Sequence, residues 1–319
     1  MPLTRRAVGQ RIGAWAAAAA LPGCASLDGL QTTRLQTSAR RGQAPVDLSA
    51  RVPLVPQDDT LCGPAALAMV LAASGTQVPL DQLTREVYLP GRQGSLQAEM
   101  LAGARRHGRV AHRLPPELDA LWQELQAGSP VLVLLNLALP FWPRWHYAVV
   151  VGMDIQRRTA LLHSGERAPS EWRLDTLEHT WARSGHWAML ALPPAQLPAT
   201  AEEGRLVPDL LAYEKAQGAA GSLPGWRAAR ARHPDSMLLA MATANAAMAA
   251  GLTREAAEGY EAAAGLHDSA AAWNNLAVAR ARLGEPDAAL SALLRAEECA
   301  HRREPAWLPA IAQTRRELF

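Results

Sequence analysis

Apolar and polar positions along the chain change rhythm near residue 195, and each side of that point predicts a different architecture. Before it, helical and strand patterns alternate. Residues 52–56 read Val-Pro-Leu-Val-Pro, where two prolines exclude helix and enforce extended chain. Residues 63–74 form an apolar helical run with Pro64 in its first turn. Shorter helical patterns cover 79–87 and 95–107, the second with Ser95 as its cap, and 116–126, which ends at Gly128. Continuous apolar, β-branched runs at 131–137, 146–153, 159–162 and 187–192 predict strands, with a helix at 174–181 between the last two. A helix block followed by strands with short connections predicts an antiparallel α+β domain over residues 51–195.

Residues 196–207 carry the punctuation of a linker. The chain from 208 to 319 is rich in alanine and has almost no strand signal. Gly218, Gly251 and Gly284 recur every thirty-three residues, and Ala256, Tyr260 and Ala263 recur as Ala289, Leu293 and Ala296. That period predicts paired helices with small residues at their contacts and glycine at the turns. The stretch from Trp273 through Gly284 to Ala296 resembles a tetratricopeptide repeat. The resemblance implies a short curved stack whose concave face takes a peptide or protein partner.

Residues 1–24 are set apart from both domains. Arg5 and Arg6 precede a short apolar run, 12–21, and then Leu21-Pro22-Gly23-Cys24. The run is too short to cross a bilayer as a helix. The tetrapeptide resembles a bacterial lipobox, which implies acylation at Cys24 and a membrane anchor through lipid. Ala25 and Ser26 resemble an outer-membrane sorting signal, so the expected location is the cell envelope, facing the periplasm. Residues 25–50 are polar and aperiodic, and predict a tether.

Composition narrows the function classes. Apolar residues make up 49% and charged residues 19% of 319, and the formal charge is +2. The chain can fold around apolar cores, and nothing in the charge balance calls for nucleic acid. Three cysteines are too few for a disulfide framework. No short-spaced pair of ligands accompanies Cys62, His146 or His163, so neither a metal nor another cofactor is expected.

Two places carry chemistry. Cys62 begins the first predicted helix, where unpaired N–H groups and the helix dipole favour a thiolate. Gly63 leaves the sulfur open to approach. Gln57 lies just upstream, with an amide N–H suited to an oxygen that gains charge. His146 opens a strand some eighty residues on, with a fixed ring able to take and return a proton. Trp142 and Trp145 flank a proline just before it, and packing is their simpler role. Taken together, Gln57, Cys62-Gly63-Pro64-Ala65-Ala66 and His146-Tyr147-Ala148-Val149-Val150 resemble the bacteriocin-processing, double-glycine-leader cysteine peptidases. The resemblance is closer to their stand-alone relatives, lipoproteins with tetratricopeptide repeats, whose pattern Leu89–Gln97 also fits. It implies a papain-like fold, Cys62 as nucleophile, His146 as base and Gln57 as oxyanion donor.

That family carries an aspartate at the end of the strand after the histidine. Here the place reads Leu161-Leu162-His163-Ser164-Gly165. His163 is the expected substitute, a neutral ring that orients His146 without a carboxylate's charge. The function implied is hydrolysis of peptides or unfolded protein segments. The alternative is a weak or inactive peptide-binding or scaffold lipoprotein acting through its repeats.

Overall fold

A computed structural model describes residues 28–56 and 60–319. Cys24, the rest of the expected targeting segment and Gln57 lie outside the described residues.

The first domain is built on one antiparallel sheet. Its strands are β1 (Val46–Asp47), β2 (Val110–Arg113), β3 (Val131–Asn136), β4 (Trp145–Asp154), β5 (Thr159–His163), β6 (Ser170–Arg173) and β7 (Ala188–Leu192). They run in the order β2-β7-β3-β4-β5-β6, and β1 adds to the far end of β4. The helices are α1 (Leu30–Thr37), α2 (Cys62–Ala73), α3 (Leu80–Val87), α4 (Gln97–Arg106), α5 (Leu118–Gln126) and α6 (Leu174–Ala182). All six residues of β3 are buried, as are Tyr147 through Met153 of β4. These strands are covered on both faces, which is why their sequence is continuously apolar instead of alternating. The first ten residues of α2, Cys62 to Leu71, are likewise all buried. A helix with no charged side chain has no face to offer water, and this one sits inside the domain.

Three local readings change. Residues 28–50 are docked on the domain, where a tether was expected. The backbone N–H of Gly29 donates to Asp175 at 2.9 Å, and those of Gln31 and Thr32 donate to Glu178 at 2.9 and 2.8 Å. The carboxylates at the start of α6 thus satisfy the orphan donors at the start of α1. Trp122 donates to Gln43, Arg40 pairs with Asp119, and β1 joins the sheet. The partners are roughly 80 to 150 residues away in sequence, so no local pattern announces them. Ser95 does not cap α4. The helix starts after Leu96, and the Ser95 hydroxyl is buried with no partner among the described residues. Two short strands, β2 and β6, carry too much polar residue to stand out.

The second domain consists of α7 (Glu203–Arg232), α8 (Met237–Ala249), α9 (Thr253–Leu266), α10 (Ala270–Arg282), α11 (Pro286–Arg302) and α12 (Leu308–Leu318). Helix α7 breaks at Gly218, with φ 76°, and Gly251 and Gly284 turn the chain at φ 81° and 75°. Each periodic glycine therefore sits in the left-handed region between two helices, where a side chain is strained. Small residues let the helices close up: a Cβ on Gly259 would lie 2.8 Å from that of Ala244. The linker is short and held. Ala199 and Thr200 donate to the buried carboxylate of Glu124, and α7 begins at Glu203. Val110 of β2 joins the core of the helical domain with Leu206 and Leu210. Beside it, His112 Nδ1 lies 3.2 Å from Asp209 Oδ2.

Candidate active site

Cys62 is the first residue of α2, preceded by Leu61, and its first turn contains no acidic side chain. The unpaired N–H groups there favour negative charge on the sulfur. Cys62 is buried, 6% exposed. Gly63 is required by the neighbouring wall: a Cβ at that position would fall 2.4 Å from Ser95 Oγ.

Strand β4 brings its cleft end to the same place. Cys62, Trp145 and Tyr147 line one cleft of about 740 Å³, together with Arg92, Ser95 and Ser184. The Tyr147 phenol donates to the Ser95 carbonyl at 3.2 Å and packs edge-on against Trp187. Its pKa is pushed well above the usual tyrosine range, by burial first and by the nearby Cys62 sulfur second. The sulfur and this part of β4 are therefore electrostatic neighbours. His146 sits between Trp145 and Tyr147, opposite Leu135 of β3. Its Nε2 lies 2.7 Å from Ser164 Oγ.

The loop from β3 to β4 is shaped by Asn136, whose buried side chain accepts from the N–H groups of Ala138 and Arg144 at 3.0 Å each. Trp142, 78% exposed, and Trp145, 52% exposed, stand out from this loop. Packing was the simpler expectation. Instead Trp142 faces solvent and Trp145 forms part of the cleft wall.

His163 is not brought to His146. It is 1% exposed, and neither ring nitrogen has a hydrogen-bond partner among the described residues. Burial holds its pKa below the usual histidine value, opposed by Asp47. The cause of its placement is a register shift in the β4–β5 pair between Val150 and Gly152. The pairs Asp154↔Thr159 to Gly152↔Leu161, continued without the shift, would set residue 163 opposite Val150, on the face that carries Ala148 and His146. With the bulge, His163 pairs with Val149 and points to the other face. The next residue, Ser164, takes the place facing His146. The sequence pointed to His163 at the strand end, one residue short of Ser164. The signal was Gly152, where a Cβ would lie 2.7 Å from the Val46 carbonyl oxygen.

Cys299 lies far from this site in sequence and surroundings. It is buried on α11, and its thiol donates to Asp268 at 3.0 Å. Neither Cys62 nor Cys299 is in a disulfide among the described residues.

Residues 49–189 match the model of the Peptidase_C39 like family. Among solved structures, a putative C39-like peptidase from Bacillus anthracis is similar, at 18% identity and a TM-score of 0.42, over 47% of this chain and 98% of that one. A double glycine motif protease from an AMS/PCAT transporter, solved with its leader peptide, shares 24% identity at a TM-score of 0.37, over 47% and 99%. The peptidase domain of Streptococcus ComA, a bifunctional ABC transporter of a quorum-sensing pathway, shares 20% identity at a TM-score of 0.36, over 44% and 97%. No curated protein matches the chain.

Proposed function

We propose, because residues 49–189 belong to the Peptidase_C39 like family, that the chain is a cysteine peptidase with Cys62 as nucleophile and His146 as proton carrier. The observation that carries the reading is the meeting of the α2 N-terminus with the cleft end of β4, where Cys62, Trp145 and Tyr147 line one space beside His146. The Cys62 thiolate adds to a peptide carbonyl carbon. Collapse of the adduct expels the amine, which takes its proton from the His146 imidazolium, and leaves a thioester on Cys62. Water gives a proton to His146 and cleaves the thioester, restoring the thiol pair. Gln57, by the family resemblance, donates its amide N–H to the oxyanion. The cleft is open and has polar and apolar walls, which suits an extended peptide or an unfolded protein segment.

Acylation of Cys24 anchors the protein in the outer membrane, on the periplasmic side. Asp28 is already held by Arg158 at 2.8 Å. Four residues reach at most roughly 14 Å, so the anchor keeps the peptidase domain close to the bilayer. The helical hairpins, as tetratricopeptide-type repeats, hold a peptide or protein partner. A second reading, a weakly active or inactive peptide-binding lipoprotein, draws support from Ser164, a hydroxyl where the resembled family carries aspartate.

The test is cleavage of an unfolded protein or peptide library by the wild-type chain and by Cys62→Ala. Cleavage that disappears in the variant supports the peptidase reading. Binding without cleavage in both supports the second, and unchanged cleavage in Cys62→Ala refutes the mechanism.

A further inference from the structure

We infer that Ser164 is the positioning residue for His146, fixing which ring nitrogen faces the thiol through a neutral hydroxyl. The inference rests on the Cys62–His146 reading and adds to it the source of the base's orientation.

The argument starts from strand geometry. His146 and Ala148 occupy one face of β4, and pairing of Val149 with His163 puts the following residue, Ser164, on that same face. The contact is short, 2.7 Å from Nε2 to Oγ. A base that takes the Cys62 proton at Nδ1 needs its own hydrogen on Nε2. The Ser164 oxygen accepts from that N–H in both the neutral and the protonated ring. It therefore holds the ring plane as the proton comes and goes, with Nδ1 left to face the thiol. A hydroxyl supplies a dipole and no charge, so it stabilises the imidazolium less than a carboxylate would. The bulge at Val150–Gly152 is thus part of the site: it swaps a buried histidine out of this position and brings the serine in.

Several charged or titratable groups stand on the elements flanking His146. Cys62 begins α2, and Tyr147 follows on β4. Arg144 precedes β4, and Glu166 and Arg167 follow β5. Arg183 lies after α6, and Asp58 and Asp59 precede Cys62, outside the described residues. Arg183 donates to the Asn136 carbonyl and Glu166 accepts from Ser170. None of these is altered by changing residue 164, so a difference between variants reports on the Ser164 contact.

The test is the rate of Cys62 alkylation by iodoacetamide as a function of pH, read on the Cys62 peptide by mass spectrometry, with the full chain in detergent. Ser164→Asp should move the inflection about one pH unit down, because a carboxylate stabilises the thiolate–imidazolium pair. Ser164→Ala should move it up, and Ser164→Thr should leave it in place. In cleavage assays, Ser164→Ala should lower kcat roughly tenfold to a hundredfold with KM unchanged, the scale of one hydrogen bond to a charged group. Ala and Asp profiles that superimpose on wild type would overturn the role of Ser164 alone. A His146→Ala profile that superimposes on wild type would instead overturn the Cys62–His146 pair itself.

Discussion

Cys62 and Cys299 are both buried, both outside any disulfide among the described residues and both on helices, yet their surroundings oppose one another. Cys62 is the first residue of α2, at the positive end of the helix, with an open cleft on one side and the His146 segment of β4 beside it. Cys299 lies near the C-terminal end of α11, where the dipole is negative, and its thiol donates to Asp268. Burial first, and the Asp268 carboxylate second, push the Cys299 thiol up, away from thiolate. Helix position and the sign of the neighbouring charge separate the proposed nucleophile from a packed thiol; burial does not.

The largest expected difference is in catalysis. Cys62→Ala should abolish peptide cleavage, whereas Cys299→Ala should leave it at the wild-type rate, measured on the same substrate. Activity lost equally in both variants would break the comparison. Next, Gln57→Ala should lower kcat by roughly a hundredfold or more, the usual effect of one oxyanion donor. A change in KM alone would place Gln57 in substrate binding instead.

How much of this was legible in the sequence depends on the distance between partners. The α2 helix, the strands β3 and β4, and the three glycine turns of the helical domain follow from local apolar runs and a thirty-three-residue period, and the structure places them within a residue or two. Cys62 and His146 stood out because a helix start and a strand start are readable punctuation. The docking of α1 was invisible, because its orphan donors are met by Asp175 and Glu178, nearly 150 residues away. The exchange of His163 for Ser164 was hidden for a different reason. A one-residue bulge inverts the face of every later side chain, and spacing does not show it; only Gly152, in an otherwise apolar strand run, marks the place.

That exchange makes a smaller, distinct prediction. His163 is buried with no hydrogen-bond partner among the described residues and its pKa is held below the ordinary value, so the folded state resists the proton that the unfolded chain accepts. Its stabilising contribution is present above about pH 6.5 and falls as the pH drops below that value. His163→Leu should keep cleavage at neutral pH and flatten the decline of Tm between roughly pH 6.5 and 5. Loss of most activity in His163→Leu, with Tm retained, would return His163 to the catalytic site.

The smallest effect belongs to the Cys299 side. Asp268 is held down to about 2 by hydrogen bonds from Cys299 and Trp273, with Arg295 and Arg302 adding to the effect. Its contribution to stability is complete above the ordinary carboxylate value, about 3.9, and is lost as the pH falls towards 2. Asp268→Asn should remove that acid dependence in thermal melts. It should also raise the slow alkylation rate of Cys299, because a carboxylate that opposes the thiolate is gone. An unchanged Cys299 rate would mean that burial alone protects it.

The central claim is that Cys62 forms the covalent intermediate with help from His146. The most direct measurement is to trap the thioester by acid quench during turnover of a peptide substrate and to locate the added acyl mass by mass spectrometry. The account predicts an acyl adduct on the Cys62 peptide of the wild-type chain, lost in Cys62→Ala and formed far more slowly in His146→Ala. Peptide turnover with no adduct on Cys62, or with the acyl group on Cys299, would contradict it.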